Sequence, residues 1–143
     1  MHIAGRVDSA DGEALIKQPN VIFYGELPQR EALAIYAASD VVLTYYDPRI
    51  EINKDAESNK WGDCIYFGKP FVVNKEVRTA EFFVDSGAAW SVPYADVEGL
   101  INLLSQLAND RRLIESASRR LSGMEESYPN FDIQMERLIS SWN

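Results

Sequence analysis

The chain has 143 residues, of which 46% are apolar and 25% charged, a balance typical of a single soluble globular domain. Its formal net charge of −8 argues against nucleic acid as the main partner, because binding to phosphate backbones needs a surplus of lysine and arginine. The negative charge does not exclude a small anionic ligand, since a local cluster of backbone N–H groups can hold a diphosphate.

Two scarce residue types limit the chemistry of the chain. Cys64 is the only cysteine and His2 the only histidine. This excludes an intrachain disulfide and a cysteine metal cluster, and it argues against a histidine zinc site or a Ser/His/Asp triad. No apolar run is long enough to cross a bilayer, and a reducing cytoplasm fits the composition. Core-type residues follow Met1 at once, so we expect native sequence upstream of it.

Apolar runs and helical spacing alternate along the chain and predict strands separated by helices, with three helices at the end. The predicted strands cover 2–7, 21–25, 40–46, 70–74 and 88–93. The predicted helices cover 9–18, 26–39, 58–68, 76–87, 96–109, 110–123 and 130–143. This order predicts an α/β fold with a Rossmann-like, doubly wound parallel sheet, helices on both faces and extra C-terminal helices.

Capping residues mark the ends of two helices. Ser9 or Asp11 is expected to cap the first helix, and Ser58 or Asn59 the third. Gly68 is expected to end the third helix.

Ligands of open parallel sheets bind outside the carboxyl ends of the strands. The segments expected there are 5–9, 24–28, 46–58, 74–79 and 92–95. Within them, the polar stretch 47–57 is too long for a minimal connection, and long ordered loops often carry function. It follows the continuously apolar run 40–46, which is typical of a strand covered on both faces.

The start of the helix 58–68 has the clearest binding chemistry. Its free N–H groups, on Asn59, Lys60 and Trp61, and the positive end of its dipole suit a phosphate or a sugar hydroxyl. Asp63 can accept hydrogen bonds from a vicinal diol such as a ribose. The plain alternative is that Asp63 is a dipole-favoured acid of a first turn and Lys60 a solvated surface residue.

The segment SNKWGDCIYFGKPFVVN (58–74) resembles the donor-site segment of retaining glycosyltransferases of the GT-B fold, family 4, which typically reads P-N-K-L-F-E-A-M-A-x-G-K-P-V-I. Asn59 and Lys60 match its N-K, Asp63 takes the position of its Glu, and Gly68-Lys69-Pro70 match its turn. Residues 20–45 and 2–5 resemble two further family segments in the family's order, so the resemblance covers most of residues 2–93.

The resemblance implies the C-terminal, donor-binding domain of a hexosyltransferase that uses a nucleotide-diphosphate sugar as substrate and needs no metal or other cofactor. The acceptor would be a polysaccharide or glycolipid, and the enzyme cytoplasmic, with peripheral association at the inner face of the membrane allowed. The N-terminal acceptor domain and the first strand and helix of this domain would precede Ile3. An Arg and a Lys that neutralise the diphosphate would be missing with them.

The resemblance also implies roles for individual residues. Family members carry two acids eight residues apart, of which the second binds the ribose and the first contacts the transferred sugar. Asp63 is the second by alignment and Asp55 the first, with Glu57 or Glu51 as substitutes.

The base and diphosphate of the donor would lie along the loop after the second strand, mostly against backbone groups of Tyr24, Gly25, Glu26 and Leu27. For Tyr24 an ordinary core or edge aromatic is an equal alternative.

The resemblance leads us to expect that this chain alone does not turn over substrate and binds the nucleotide sugar weakly or not at all. If the last helix packs on the missing domain through Trp142, part of the apolar surface is exposed. Two alternatives remain. A GT-B-fold nucleotide-sugar epimerase would need an acid or base near the sugar, and a free-standing flavodoxin-like binding domain would have a closed sheet with no orphan edge.

Overall fold

A computed structural model of the protein describes residues 1–124 and 131–141. The predicted end of the last helix, with Trp142, lies outside the described residues. The chain divides into two compact units, Met1–Ser39 and Asp40–Asn143, and each is described by itself.

The unit Met1–Ser39 contains two strands and two helices. They are β1 (His2–Ile3), α1 (Ala10–Leu15), β2 (Ile22–Phe23) and α2 (Gln29–Ala38). β1 and β2 pair in parallel, with His2 opposite Ile22 and Ile3 opposite Phe23. Ser9 is the cap of α1, since its Oγ accepts the N–H of Gly12 at 3.1 Å. Of the two predicted candidates, Ser9 and Asp11, Ser9 is thereby confirmed as the cap.

Apolar surface of the unit Met1–Ser39 remains open to solvent. None of its residues, all of which the structure describes, is fully buried. Ile22 is 51% and Phe23 38% exposed, so both apolar side chains of β2 are partly open to solvent. A sheet of two short strands is marginal by itself in water.

The unit Asp40–Asn143 contains a sheet of three strands and most of the helices. Its elements are β3 (Val42–Thr44), α3 (Ile52–Asp55), α4 (Asn59–Phe67), β4 (Phe71–Asn74), a 3₁₀ turn (Arg78–Ala80), α5 (Glu81–Asp85), β5 (Ala89–Val92), α6 (Val97–Asn109), α7 (Arg111–Ser122) and α8 (Phe131–Ser140). The strand order is β3-β4-β5 and both pairings are parallel. The short helix α3 lies inside the stretch 47–57, which has no helix in the sequence prediction.

Strand β4 is the centre of the core. Phe71 is fully buried and packs against Trp61 of α4, with ring centroids 5.5 Å apart. Val72 forms a cluster with Val92 and with Leu107 of α6. Because side chains alternate along a strand, α4 and α6 cover opposite faces of this sheet.

Helix α4 ends as its sequence predicts. Gly68 has a φ of +60°, and the N–H of Lys69 donates to the carbonyl of Cys64 at 2.8 Å. Ser118 of α7 donates its hydroxyl to the carbonyl of Gly68. The turn between α4 and β4 is therefore held from within and by a neighbouring helix.

Helix α8 exposes an apolar stripe. The side chains of Met135, Leu138 and Ile139 are 37%, 44% and 54% exposed.

Among the helices in the described part of the chain, none is long and apolar enough to cross a membrane. A mixed α/β fold with parallel strands is confirmed, whereas a single doubly wound sheet stays a prediction.

Candidate functional site

A hydrogen-bonded network joins the carboxyl ends of β3, β4 and β5. Asn74, the last residue of β4, is fully buried and accepts the backbone N–H of Tyr46 at 2.9 Å through Oδ1. Its Nδ2 donates to the Glu76 carboxylate at 3.0 Å. The same carboxylate accepts the N–H of Tyr94, which follows β5, at 3.0 and 3.1 Å. The three strand ends are thus fixed relative to one another at the edge where ligands of parallel sheets bind.

The charge of Glu76 is stabilised by this network. Burial by itself raises the pKa of Glu76, but the hydrogen bonds from Asn74 and from the Tyr94 N–H outweigh burial and bring the pKa below its ordinary value. Glu76 is therefore ionised at neutral pH and serves as a fixed acceptor of the network.

Helix α4 begins beside this edge. Ser58 is its N-cap, and the Ser58 Oγ accepts the N–H of Lys60 at 3.2 Å. The hydroxyl of Tyr46 forms a hydrogen bond with the same Oγ. The Lys60 ammonium lies 5.7 Å from the centroid of the Tyr46 ring, within the range of a cation–π contact. Tyr46 thus links the end of β3 to the start of α4.

Two of the three predicted phosphate-binding N–H groups already have acceptors within the chain. Lys60 donates to the Ser58 Oγ and Trp61 donates to the Ser58 carbonyl at 3.0 Å. The N–H of Asn59 has no acceptor among the described residues. The Trp61 side chain is in the core, where its indole N–H donates to Thr44. An anion at this helix start would therefore contact the Asn59 N–H and the Lys60 ammonium most directly.

Asp63 is the fifth residue after the Ser58 cap and therefore lies in the second turn of α4, whose first turn has no acidic residue. Its interpretation as a dipole-favoured acid of a first turn is therefore wrong. Burial raises the pKa of the Asp63 carboxyl, and the charge of Lys60 offsets this only in part. The carboxylate makes no hydrogen bond or ion pair with any described residue, so its oxygens are available to hydroxyl donors of a ligand.

Asp55, predicted to contact the sugar, is engaged by an arginine. Nε of Arg78 donates to Oδ1 of Asp55 at 2.7 Å and Nη2 donates to Oδ2, a bidentate pair. Thr79 adds a bond from its hydroxyl to the Ala56 carbonyl at 3.1 Å. These contacts hold the end of α3 against the 3₁₀ turn after β4. Glu57, the substitute for Asp55, is exposed just before the cap of α4.

The unit Met1–Ser39 has a cleft of its own, about 450 Å³ in volume. It lies at the carboxyl ends of β1 and β2 and includes the predicted base-binding residues Gly25 and Glu26. Its other lining residues are Gly5, Arg6, Val7, Glu13, Ile16, Lys17 and Phe23. Arg6 belongs to the segment 5–9 that the sequence placed at the carboxyl ends of the strands, whereas Glu13, Lys17 and Phe23 are absent from the sequence prediction of the site.

Tyr24 and Leu27, also predicted to bind the base, do not line this cleft. The hydroxyl of Tyr24 is hydrogen-bonded to Nδ1 of His2 at 2.8 Å, and the two rings stack with centroids 5.8 Å apart. Phe23 is the aromatic residue of the cleft, since successive side chains of a strand point to opposite faces. Because Phe23 and Tyr24 are neighbours in the sequence, side-chain alternation predicts that only one of the two rings faces the cleft.

The described ranges 1–124 and 131–141 contain no group of three or more His, Cys, Asp or Glu side chains that could hold a metal ion. Fold and site together define a mixed α/β protein with parallel strands and polar groups at their carboxyl ends. No family model matches the chain, and no curated protein matches it.

Proposed function

We propose that the chain is the donor-binding part of a GT-B-fold, family-4-like glycosyltransferase. The complete enzyme would transfer a hexose from a nucleotide-diphosphate sugar to a polysaccharide or glycolipid acceptor. The observation that carries the proposal is the strand order within the two sheets.

A doubly wound nucleotide-binding sheet has the strand order 3-2-1-4-5-6. Removal of strand 1 from that order leaves strands 3 and 2 as one pair and strands 4, 5 and 6 as a separate group. The chain has a parallel pair, β1-β2, and a parallel group, β3-β4-β5. Each matches in order and direction when β1 corresponds to strand 2. This agreement is independent of the sequence motifs, because it depends only on which strands are hydrogen-bonded.

Asp63 and the start of α4 supply the chemistry that the proposal requires. An unpaired, half-buried carboxylate can accept both hydroxyls of a ribose. The Lys60 ammonium and the Asn59 N–H are available to a phosphate beside it. In such an enzyme positive groups and helix N-termini stabilise the departing diphosphate, which is the main catalytic requirement.

The alternatives have less support. A free-standing flavodoxin-like module would have a closed sheet, whereas β2 exposes apolar side chains and β3 pairs with β4 alone among the described strands. An epimerase would need an acid or base at the sugar. The only histidine, His2, forms a hydrogen bond with Tyr24 instead.

The proposal is tested by sugar transfer with the longer protein that includes the upstream sequence. We expect turnover of one nucleotide-diphosphate sugar from a panel, with a large loss in Asp63→Asn. Asp85→Asn, a change at an exposed acid at the end of α5, is the matched control and should leave turnover unchanged. Absence of transfer from every donor, with the protein folded, would refute the proposal.

A separate measurement concerns the chain by itself. Isothermal titration with several nucleotide diphosphates should show no binding in the micromolar range, because the proposed diphosphate-neutralising residues lie upstream. Turnover by the isolated chain would contradict the proposed division of the enzyme.

A further inference from the structure

The segment 47–57 is joined to the turn after β4 by contacts near its end. The guanidinium of Arg78 binds both carboxylate oxygens of Asp55, and its Nε lies 2.7 Å from Oδ1. The Thr79 hydroxyl donates to the Ala56 carbonyl at 3.1 Å. Because Arg78 and Thr79 belong to the 3₁₀ turn after β4, these contacts connect the chain segments that follow two neighbouring strands.

Inside the segment 47–57, polar contacts are local. The Nδ2 of Asn53 donates to the Asp47 carbonyl at 2.9 Å, and the N–H of Ala56 donates to the Ile52 carbonyl at 2.9 Å. These bonds shape α3 but do not attach it to the sheet. The side chain of Ile52 is 71% exposed, so it contributes little apolar packing to that attachment. The contacts from Arg78 and Thr79 therefore matter for the position of α3.

The same contacts lie directly before the candidate site. Ser58, the cap of α4, is only two residues after Ala56, which limits the distance between their Cα atoms to about 7 Å. The backbone N–H groups of Lys60 and Trp61 both donate to Ser58. A displacement of Ala56 would therefore be passed on to the first turn of α4.

We propose that Asp55 and Arg78 are positioning residues whose ion pair, the Asp55–Arg78 clasp, fixes the segment 47–57 and the start of α4. Asp55 then has no contact with the transferred sugar, contrary to what the family resemblance implies. Both of its oxygens are engaged by the guanidinium, and a ligand hydroxyl would have to compete with this bidentate bond. The statement about the sugar rests on the proposed function, whereas the clasp itself does not.

Hydrogen exchange of the ¹⁵N-labelled chain tests the clasp without any ligand. The amides of Ala56 and Lys60 report opening of α3 and of the start of α4, and the buried Val72 reports global unfolding. We expect Asp55→Asn and Arg78→Gln each to accelerate exchange at Ala56 and Lys60 about fivefold relative to Val72. This factor corresponds to about 1 kcal/mol, the upper range for an exposed ion pair.

Two comparisons separate the clasp from a general effect of charge. Arg111→Gln is the matched control, because Arg111 forms a similar two-bond pair with Asp40 far from α3, with side chains 63% and 57% exposed. It should leave the exchange rates of Ala56 and Lys60 unchanged. In about 1 M NaCl, where the Debye length falls to about 3 Å, the natural chain should approach the rates of the two clasp variants.

Exchange of the two charges separates a positioning role from contact with the sugar. In Asp55→Arg/Arg78→Asp the opposite charges face each other again, so exchange should be slower than in either single reversal. Glu51 and Glu81 lie near Arg78, so the recovery should be partial. In the longer protein the double variant should regain part of the turnover lost in Asp55→Arg, and Asp55→Asn and Arg78→Gln should lower turnover by similar factors.

The clasp is overturned if Arg78→Gln accelerates exchange at Ala56 and Lys60 no more than Arg111→Gln does, or if the double variant exchanges no more slowly than the single reversals. The exclusion of a sugar contact is overturned if Asp55→Asn abolishes turnover while Arg78→Gln preserves it. Failure of the proposed function would instead appear as absence of transfer by the natural longer protein, and it would leave the exchange results valid.

Discussion

Replacement of Glu76 by Gln tests whether charge holds the carboxyl edge of the β3-β4-β5 sheet together. Glu76 accepts hydrogen bonds from two donors, the Asn74 Nδ2 and the Tyr94 N–H. Gln keeps the size of the side chain and one carbonyl oxygen, but it loses the negative charge. We expect Glu76→Gln to fold and to unfold at a lower temperature.

The size of the effect follows from the two hydrogen bonds. A bond to a charged acceptor contributes about 1.5–3 kcal/mol and a neutral bond about 1 kcal/mol. The two bonds to Glu76 at the lower value give about 3 kcal/mol, of which the remaining carbonyl of Gln retains about 1 kcal/mol. Water can reach the exposed Tyr94, so we expect a net loss of about 1.5 kcal/mol. For a domain of this size that is about 5 °C in Tm.

The lowered pKa of Glu76 determines at which pH its carboxylate stabilises the fold. The folded-state pKa of Glu76 lies below the ordinary value of 4.5, so the ionised group stabilises the fold above the unfolded pKa. This contribution is lost as the pH falls through the folded pKa. Thermal unfolding of both proteins from pH 7 to pH 3 should therefore show a difference that shrinks below about pH 4.5.

Two comparisons make this prediction refutable. Glu115→Gln changes an exposed acid in the middle of α7 and should shift Tm little at any pH. If Glu76→Gln and the natural chain differed as much at pH 3 as at pH 7, the loss would come from packing and the charge argument would be incorrect.

Three further predictions concern helix α4. Gly68→Ala should lower the free energy of unfolding by about 1–2 kcal/mol, because φ is +60° and the added Cβ would lie 2.8 Å from the Ser122 Oγ. Gly62 faces open space, so Gly62→Ala should raise the free energy of unfolding by about 0.5–1 kcal/mol. Urea unfolding compares the two variants, and equal effects would contradict the left-handed cap. The Cys64 thiol is buried and has a pKa of about 12, so iodoacetamide at pH 8 should modify it only in urea, and rapid labelling of the folded chain would contradict its burial. Burial raises the pKa of Asp63, so the protonated group stabilises the fold below the unfolded pKa, and this contribution is lost as the pH rises. Asp63→Asn is neutral at every pH, so it should raise Tm at pH 7 but not at pH 3. A lower Tm of the variant at pH 7 would instead reveal a structural partner of the carboxylate.

Local chemistry made much of the fold predictable. The caps Ser9 and Ser58 and the terminal Gly68 act on backbone groups within a few residues of themselves, so their positions in the sequence suffice to place helix ends. Strand lengths were less predictable. The run 2–7 forms a strand only over His2–Ile3, because a strand extends as far as its neighbour pairs with it. The order of strands and helices follows the sequence prediction, with α3 as the addition.

The contacts of the site were harder to anticipate because they join distant parts of the chain. Arg78 and Asp55 are 23 residues apart, and their bidentate pair depends on how α3 packs against the turn after β4. The sequence predicted Asp55 as a ligand group and contained no sign of this partner. The sequence placed Asp63 on the helix that became α4. Its position in the second turn follows because Ser58 is the cap of that helix, and a later cap would have moved Asp63 closer to the first turn.

Strand β3 shows the strongest conflict between sequence and environment. Its run of apolar residues is typical of a strand covered on both faces, yet Leu43 is 38% exposed, and in the described residues β3 pairs with β4 alone. Natural edge strands usually carry charges, proline or bulges that prevent further pairing, and β3 has none between Val41 and Thr44. A sequence that is locally consistent elsewhere and inconsistent at one edge is what a missing neighbour would produce. A parallel strand on this edge of β3 is what the proposed enzyme domain requires, and its addition would remove the conflict.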